Sequence, residues 1–229
     1  MKIAFSGIEL PEGKHKYNDS QLTALVNKDK PKKIAPFFAE FIFEGFVHAD
    51  VIAIPEDDIL SLLIFDMEKI EGRLNRITEE NEQKILKTAL QYLEDEIPLS
   101  ECSFTQEELD VLTVLALFSL KPVIKIQQDD DINSIISLAI DKGNFMFFYT
   151  SGQPESHAWF VKKNTDIVTC AGQIHSDLAR GFIRADIVPF EEYFKYYNFK
   201  ECKSKGVAKL VDKDYIVQPS DIIEIRFSV

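Results

Sequence analysis

The chain has 229 residues, 45% of them hydrophobic and 28% charged, with a formal net charge of −12; that length suits one large domain or two small ones with a real core. No apolar run reaches the roughly 20 residues that span a bilayer, and the opening MKIAFSGIELPEG lacks the apolar stretch and small-residue cleavage site of a secretory signal, so no membrane partner and a cytoplasmic location are expected. Residues 1–143 hold 15 Lys and Arg against 27 Asp and Glu, whereas residues 144–229 hold 11 of each, a division that argues against non-specific nucleic-acid binding by the front half.

Ile3, Ala4 and Phe5 form a short apolar strand ending at Gly7. Asp19 or Ser20 is placed to cap a helix ending near Val26. The basic, proline-punctuated segment 27–36 reads as a loop. Phe37, Phe38, Phe41, Ile42 and Val47 recur at near-helical spacing, and a second buried strand, ADVIAIPED, is stopped by Pro55. Leu63, Met67, Ile70, Leu74 and Ile77 then alternate steps of four and three, a heptad seam. TEENEQK at 78–84 reads as the tip of a helical hairpin whose return helix carries Leu86, Ala89, Leu90 and Leu93. Thr105 and Glu108 are a capping-box pair for a third helix, continuing through Leu117. A third strand follows at 120–126, and a helix from Asp129–Asp131 ends at Gly143. Beyond it, FMFFYTS and HAWFVKK form a hairpin turning at SGQP, and three further strand segments follow.

This order predicts an α/β core from residues 1–56 and 120–143, interrupted by a helical hairpin at 57–119. An α+β segment follows at 144–229, with short strands around a helix. Cys102, Cys170 and Cys202 are odd in number and too widely spaced for a zinc site or a redox pair. They read as buried or semi-buried thiols of a reducing cytosol.

Three stretches in order, FFYTSGQPESHAWFV, IHSDLARGFIRAD and KDYIVQPSDIIEIRFSV, resemble the C-terminal TGS domain of the YchF branch of Obg-like P-loop NTPases. DMEKIEGRL at 66–74 and the segment 91–123 are similar to that family's helical insert, here shorter than usual. The resemblance implies a β-grasp, ubiquitin-like fold for 144–229 and a truncated, degenerate G domain in front. It also implies a small regulatory or ribosome-facing role for the tail.

The resemblance further implies a phosphate loop, G-x4-G-K-[ST], whose backbone amides wrap phosphates while the lysine neutralises them and the hydroxyl binds Mg²⁺. Here five residues separate Gly7 from Gly13, Lys14 is followed by His15 rather than a hydroxyl, and Glu9 and Glu12 bring negative charge. The family's D-x-A-G switch is absent between residues 27 and 50. Gln128 and Asp131 stand where the base-reading Asn and Glu are expected, one a carbon too long and the other a carbon too short. The acidic run from Asp129 to Asp131 equally suits a helix N-terminus. The four histidines have no metal-ligand spacing, and no G-x-S-x-G elbow is present. No metal site and no catalytic residue is assigned.

The densest match to the family is the turn carrying His175, Asp177, Arg180, Gly181 and Arg184. Exposed polar groups on a turn are where binding usually sits, so these five are the candidate partner-binding residues. Gly181 is expected to permit the turn, Phe182 and Ile183 to pack on the core, and Arg184 to pair with Asp186 or Asp177. The leading reading is a non-hydrolytic interaction protein without a cofactor, meeting a protein, the ribosome or RNA through its tail. One alternative is a shrunken ATPase or GTPase binding nucleotide with Mg²⁺ at residues 7–14. The other is a scaffold competing with an intact paralogue.

Overall fold

The computed structural model describes residues 1–228; Val229, at the end of the expected tail segment, lies outside the described residues. In chain order the elements are β1 (Lys2–Phe5), β2 (Gly13–Lys16), α1 (Ser20–Asp29), β3 (Lys33–Ala35), β4 (Phe38–Phe43), β5 (Val51–Pro55), α2 (Ile59–Leu74), α3 (Glu80–Glu94), α4 (Gln106–Thr113), β6 (Val123–Ile126) and α5 (Ile132–Lys142). They continue with β7 (Phe145–Ser151), β8 (Glu155–Lys162), α6 (Ile167–Ile174), α7 (Ser176–Arg180), β9 (Phe182–Pro189), α8 (Phe190–Tyr193), α9 (Phe199–Ser204), β10 (Lys209–Val211) and β11 (Asp221–Phe227). The chain is a mixed α/β protein of two compact units. Met1–His15 and Ala39–Gly143 make the first; Lys16–Phe38 and the chain from Asn144 onward make the second.

The first unit is built on a five-stranded sheet of order β2-β4-β1-β5-β6, in which β4, β1, β5 and β6 run parallel. Val51, Ile52, Ala53 and Ile54 are all fully buried, as befits a parallel strand covered on both faces. On one face Ala4, Ile52 and Ile54 share a core with Leu63 and Ile70 of α2 and with Leu86, Ala89 and Leu93 of α3. Met67, Leu74 and Ile77 of the seam pack against the same core. Burying each such leucine or isoleucine contributes about 2 kcal/mol. The Thr105–Glu108 capping box forms in full. The helix it opens stops at Thr113 instead of reaching Leu117, because Ala116 takes φ 48, outside the helical region.

Two local expectations change in this unit. The phenylalanine-rich segment after Phe37 is not helical but forms β4, with Ala39 and Phe41 buried. The Phe37–Phe41 spacing of four suits a strand as well as a helix, since four is also twice the strand period. The tip of the α2–α3 pair is likewise shorter than expected. Glu79 caps α3 by accepting from the amides of Asn81 and Glu82, so most of the charged run lies within the helix.

The second unit has a six-stranded sheet of order β10-β9-β11-β7-β8-β3. The β7–β8, β9–β10 and β9–β11 pairs are antiparallel, and β11–β7 and β3–β8 are parallel. On one face α6 packs Ile167, Cys170 and Ala171 on Met146, Phe148, Ala185 and Ile223. On the other, Leu22 and Leu25 of α1 pack with Tyr149, Val188, Tyr193 and Ile222. Residues 16–38 therefore serve this unit, unlike their expected place in the front segment. The expected loop at 27–36 instead holds the last turn of α1 and the edge strand β3. Asp19 is the anchor: it caps α1 through the amides of Gln21 and Leu22, and accepts from the buried Tyr149 hydroxyl at 2.7 Å. Burial next to that carboxylate raises the Tyr149 pKa far above that of a free phenol.

This partition sharpens the charge division. The first unit holds 10 Lys and Arg against 25 Asp and Glu, and the second holds 16 against 13, so their net charges are −15 and +3. None of the three cysteines is bonded; Cys170 and Cys202 are buried and Cys102 is half-buried.

Candidate functional site

In a parallel sheet of this kind a ligand sits outside the carboxyl ends of the strands, where successive connections diverge to opposite sides. Here that place is beside β1, flanked by β4 and β5. The chain leaves β1 through Ser6 and Gly7, and Gly7 takes φ 72, a left-handed turn that favours glycine. A Cβ built on Gly7 would lie 2.3 Å from a carboxylate oxygen of Asp58, in the turn leading into α2. A protein carboxylate thus rests against the glycine turn where a phosphate would approach it. Asp58 also accepts a hydrogen bond from the Ser61 hydroxyl.

The rest of the loop does not rebuild a cradle. Gly13 opens β2 with φ 96, and Lys14 lies exposed on that edge strand. No helix begins at Lys14; the next one, α1, starts at Ser20 in the second unit. The helix N-terminus that would direct amides and a partial positive charge at a phosphate is therefore not there. His15, in the place of the magnesium-binding hydroxyl, donates from Nε2 to the carbonyl of Pro11 at 2.9 Å and meets Phe41 edge-on. A concavity of about 460 Å³ remains beside the loop, lined by Phe5, Ile8, Leu10, Pro11 and Phe43 with Glu9 and Glu12. Its walls are apolar and acidic.

The same sheet edge carries Glu44 after β4, Glu56, Asp57 and Asp58 after β5, and Asp129, Asp130 and Asp131 after β6. Asp131 is committed to α5, accepting from the amides of Asn133 and Ser134 and from the Ser134 hydroxyl. The Ser134 hydroxyl and those amides hold its carboxyl below the usual carboxylate range. Gln128 is exposed in the preceding turn, which Asp130 closes by accepting from the Gln127 amide. The pair expected to read a base is thus one capping carboxylate and one solvated amide. Each unpaired carboxylate about 4 Å from a phosphate charge opposes it by about 1 kcal/mol in water and about 4 kcal/mol near a protein surface. Among the described residues, no group of three or more His, Cys, Asp or Glu could hold a metal ion.

In the second unit, α6 and α7 meet at His175, which ends one helix and caps the next. Its Nδ1 accepts from the Asp177 amide at 3.2 Å. Arg180 donates to Asp177 at 2.6 Å. Arg184, on β9, donates to Asp212 at 2.9 Å rather than to Asp177 or Asp186. Asp186 is buried and takes a bidentate grip from Arg226, at 2.7 and 2.8 Å. The turn therefore gathers His175, Asp177 and Arg180 into one exposed, internally paired group, with Arg184 held by a different acid. Phe182 is buried as expected, but Ile183 is 54% exposed and joins the surface.

Gly181 is required for a different reason from the one the sequence suggests. Its φ is −97, so the backbone is not left-handed. A Cβ there would lie 2.3 Å from the carbonyl oxygen of Ser228, whose amide donates to the Gly181 carbonyl at 2.9 Å. The constraint is close approach of two backbones. Gly181→Ala should destabilise the second unit by about 1–3 kcal/mol, as overpacking against backbone does. Urea unfolding followed by the fluorescence of Trp159, the sole tryptophan and a member of this unit, measures it. An unchanged midpoint would mean that the segment at Ser228 yields freely.

Sequence reasoning missed Asp66, Asp186 with Arg226, and the Asp19–Tyr149 anchor, since each joins residues distant in the chain. Trp159 is half-buried against the core of the second unit; its ring stacks on His157 at 3.5 Å and its Nε1 donates to Thr150.

Residues 145–228 match the family model YchF-GTPase_C, described as a protein of unknown function (DUF933). The chain is 27% identical over 179 residues to the ribosome-binding ATPase YchF of Mycoplasma genitalium, across 78% of this chain and 45% of that protein. It is 25% identical over 260 residues to the ribosome-binding ATPase YchF of Bacillus subtilis, across 82% and 71%. A shorter stretch of 102 residues is 31% identical to the Haemophilus influenzae protein of the same name, across 44% and 28%. The chain thus spans less than half of the Mycoplasma relative's length. Among solved structures it is similar to the Schizosaccharomyces pombe YchF GTPase, with a TM-score of 0.77 at 19% identity, covering 96% of this chain and 89% of that one. That likeness is one of fold.

Proposed function

We propose that this chain, related to the YchF-type Obg-like P-loop NTPases, is a non-hydrolytic interaction protein of the cytoplasm that associates with the ribosome or its RNA. In this reading residues 1–15, 39–56 and 120–143 are a reduced G-domain core, residues 57–119 are its inserted helical hairpin, and the tail, joined by residues 16–38, is a β-grasp module of the TGS type. The observation that carries the non-hydrolytic part is the Asp58 carboxylate lying against Gly7. It stands where the phosphate of a nucleotide would approach, on a sheet edge already rich in carboxylates. The ribosome part is supported by the names of the relatives, which are ribosome-binding proteins, and by the net positive charge of the second unit.

Within the second unit the turn from His175 to Arg184 is the proposed contact surface. Its ion pairs do not bar the role. Arg180 and Arg184 are 70% and 50% exposed, as are their partners in large part, and exposed pairs contribute only about 0–1 kcal/mol. Exchanging a carboxylate for a phosphate is therefore easily offset. Co-sedimentation with ribosomes over a salt series tests the reading. Binding should weaken with salt as counterions are released, and Arg180→Ala with Arg184→Ala should weaken it further and flatten the salt dependence. Retention that ignores both salt and the arginines would move the contact to the α2–α3 helices.

A further inference from the structure

The second unit carries another surface, whose lining residues do not include those of the turn at His175. A concavity of about 440 Å³ is lined by Lys28, Asp29, Gln153, Tyr197, Lys200 and their neighbours. Tyr197 is 81% exposed, yet its backbone is pinned. Its amide donates to Glu201 at 2.6 Å, and the next residue, Asn198, caps the Glu201 amide at 2.9 Å. A flat aromatic ring is thus held out into solvent on a fixed stem.

Three lysines at or next to the concavity have no ion-pair partner among the described residues. Lys200 lines the concavity. Lys30 follows Asp29 in a left-handed conformation that ends α1. Lys32 is tied beside the concavity through its amide, which donates to the Gln153 carbonyl at 2.9 Å. Other lysines nearby are engaged: Lys33 with Glu155, Lys195 with Glu192, and Lys203 with Glu224 and Asp186. Lys28 is turned inward, its ammonium bonded to the Tyr196 carbonyl and lying over the Tyr193 ring. Of the two acids that line the concavity, Asp29 accepts from the hydroxyls of Tyr193 and Ser151, and Glu224 pairs with Lys203.

An exposed ring that shares a concavity with an unpaired lysine, with two more on the adjoining backbone, suits a splayed base with its phosphates. A duplex keeps its bases stacked and could not use the ring. An acidic peptide would use the lysines but has no need of the aromatic face. We propose that this concavity binds a segment of single-stranded RNA, with one base stacked on Tyr197 and adjacent phosphates met by Lys30, Lys32 and Lys200. The proposal rests on the ribosome or RNA reading above, and it names a second, separable contact.

The test is fluorescence anisotropy of the full chain with labelled decauridylate and decaadenylate, their deoxy counterparts, a hairpin duplex and polyglutamate. Single-stranded RNA should bind more tightly than duplex or polyglutamate. Tyr197→Ala should weaken it about tenfold, the scale of one stacked base, and Tyr197→Phe should restore it. Joint replacement of Lys30, Lys32 and Lys200 by Ala should lower the logarithmic salt slope by about 2, near 0.7 for each phosphate that is no longer neutralised. These residues are on the surface, and circular dichroism checks that the variants fold. RNA binding that is indifferent to Tyr197→Ala, a duplex bound equally well, or polyglutamate bound more tightly would each overturn the proposal. DNA binding as tight as RNA would also overturn the assignment to RNA. Loss of RNA binding in the variants with ribosome sedimentation intact supports it and leaves the ribosome anchored at the His175 turn. Intact wild-type RNA binding that falls in the variants as predicted, without ribosome sedimentation, supports it and removes the ribosome reading instead.

Discussion

Replacing Asp66 by alanine should destabilise the first unit by about 3 kcal/mol. Asp66 is fully buried in α2, and its two oxygens accept from the amides of Phe118 and Ser119, each at 2.7 Å. Those amides begin the short turn Phe118–Leu120 that precedes β6. Lys69 lies 3.6 Å from the carboxylate and 3.8 Å from the centroid of the Phe118 ring. Alanine would leave one buried and one part-buried amide without acceptors, and each such loss costs about 1–3 kcal/mol. Asparagine should cost less, because it keeps one acceptor oxygen. Since the chain has two units, a single unfolding transition is not assured. Far-UV circular dichroism in urea should therefore show the helical signal lost earlier, while Trp159 fluorescence, which reports the second unit, moves less. A helical transition unmoved by Asp66→Ala would mean that the turn at Phe118 is held by its apolar packing alone.

Such residues mark the boundary of what the sequence makes legible. The buried strand VIAI, the Thr105–Glu108 capping box, the heptad seam and Gly143 are local patterns, and each takes its expected place. The hairpin at SGQP is local too, and β7 pairs with β8 around it. Residues 16–38 leave their expected unit because the assignment of α1 depends on Asp19 meeting Tyr149, 130 residues away. The arginine pairs differ from expectation for the same reason. Neighbours in sequence nominate Asp186 for Arg184, whereas the antiparallel register of β9 with β11 sets Arg184 opposite Arg226. Arg226 then takes the buried Asp186, and Arg184 turns to Asp212. Gly181 shows the same limit. A glycine in a turn suggests a left-handed backbone, but here it is the passing strand end at Ser228 that excludes a side chain.

At the loop from Gly7 to Lys14 the residue types are legible in the sequence and their arrangement is not. The lengthened loop, His15 and the two glutamates can be read directly. That Lys14 would sit on an edge strand, with its following helix given to the other unit, follows only from the fold. Asp58 is fifty-one positions from Gly7 and reaches it because β1 and β5 are adjacent parallel strands. The consequence is an expected failure of nucleotide binding. Titration of the full chain with ATP or GTP analogues and Mg²⁺ should give no affinity tighter than about 1 mM, a limit that corresponds to only about 4 kcal/mol. A phosphate entering here would meet the Asp58 carboxylate, then Glu9 and Glu12, with Lys14 alone in opposition. Even two such repulsions at about 1–4 kcal/mol each are enough to cancel what one exposed lysine contributes. Asp58→Ala should not create a site, because it supplies neither a helix N-terminus nor a hydroxyl for Mg²⁺. Lys14→Ala should change nothing. Micromolar binding that disappears in Lys14→Ala would show instead that the loop reorganises around nucleotide, and the ATPase or GTPase reading would then take precedence.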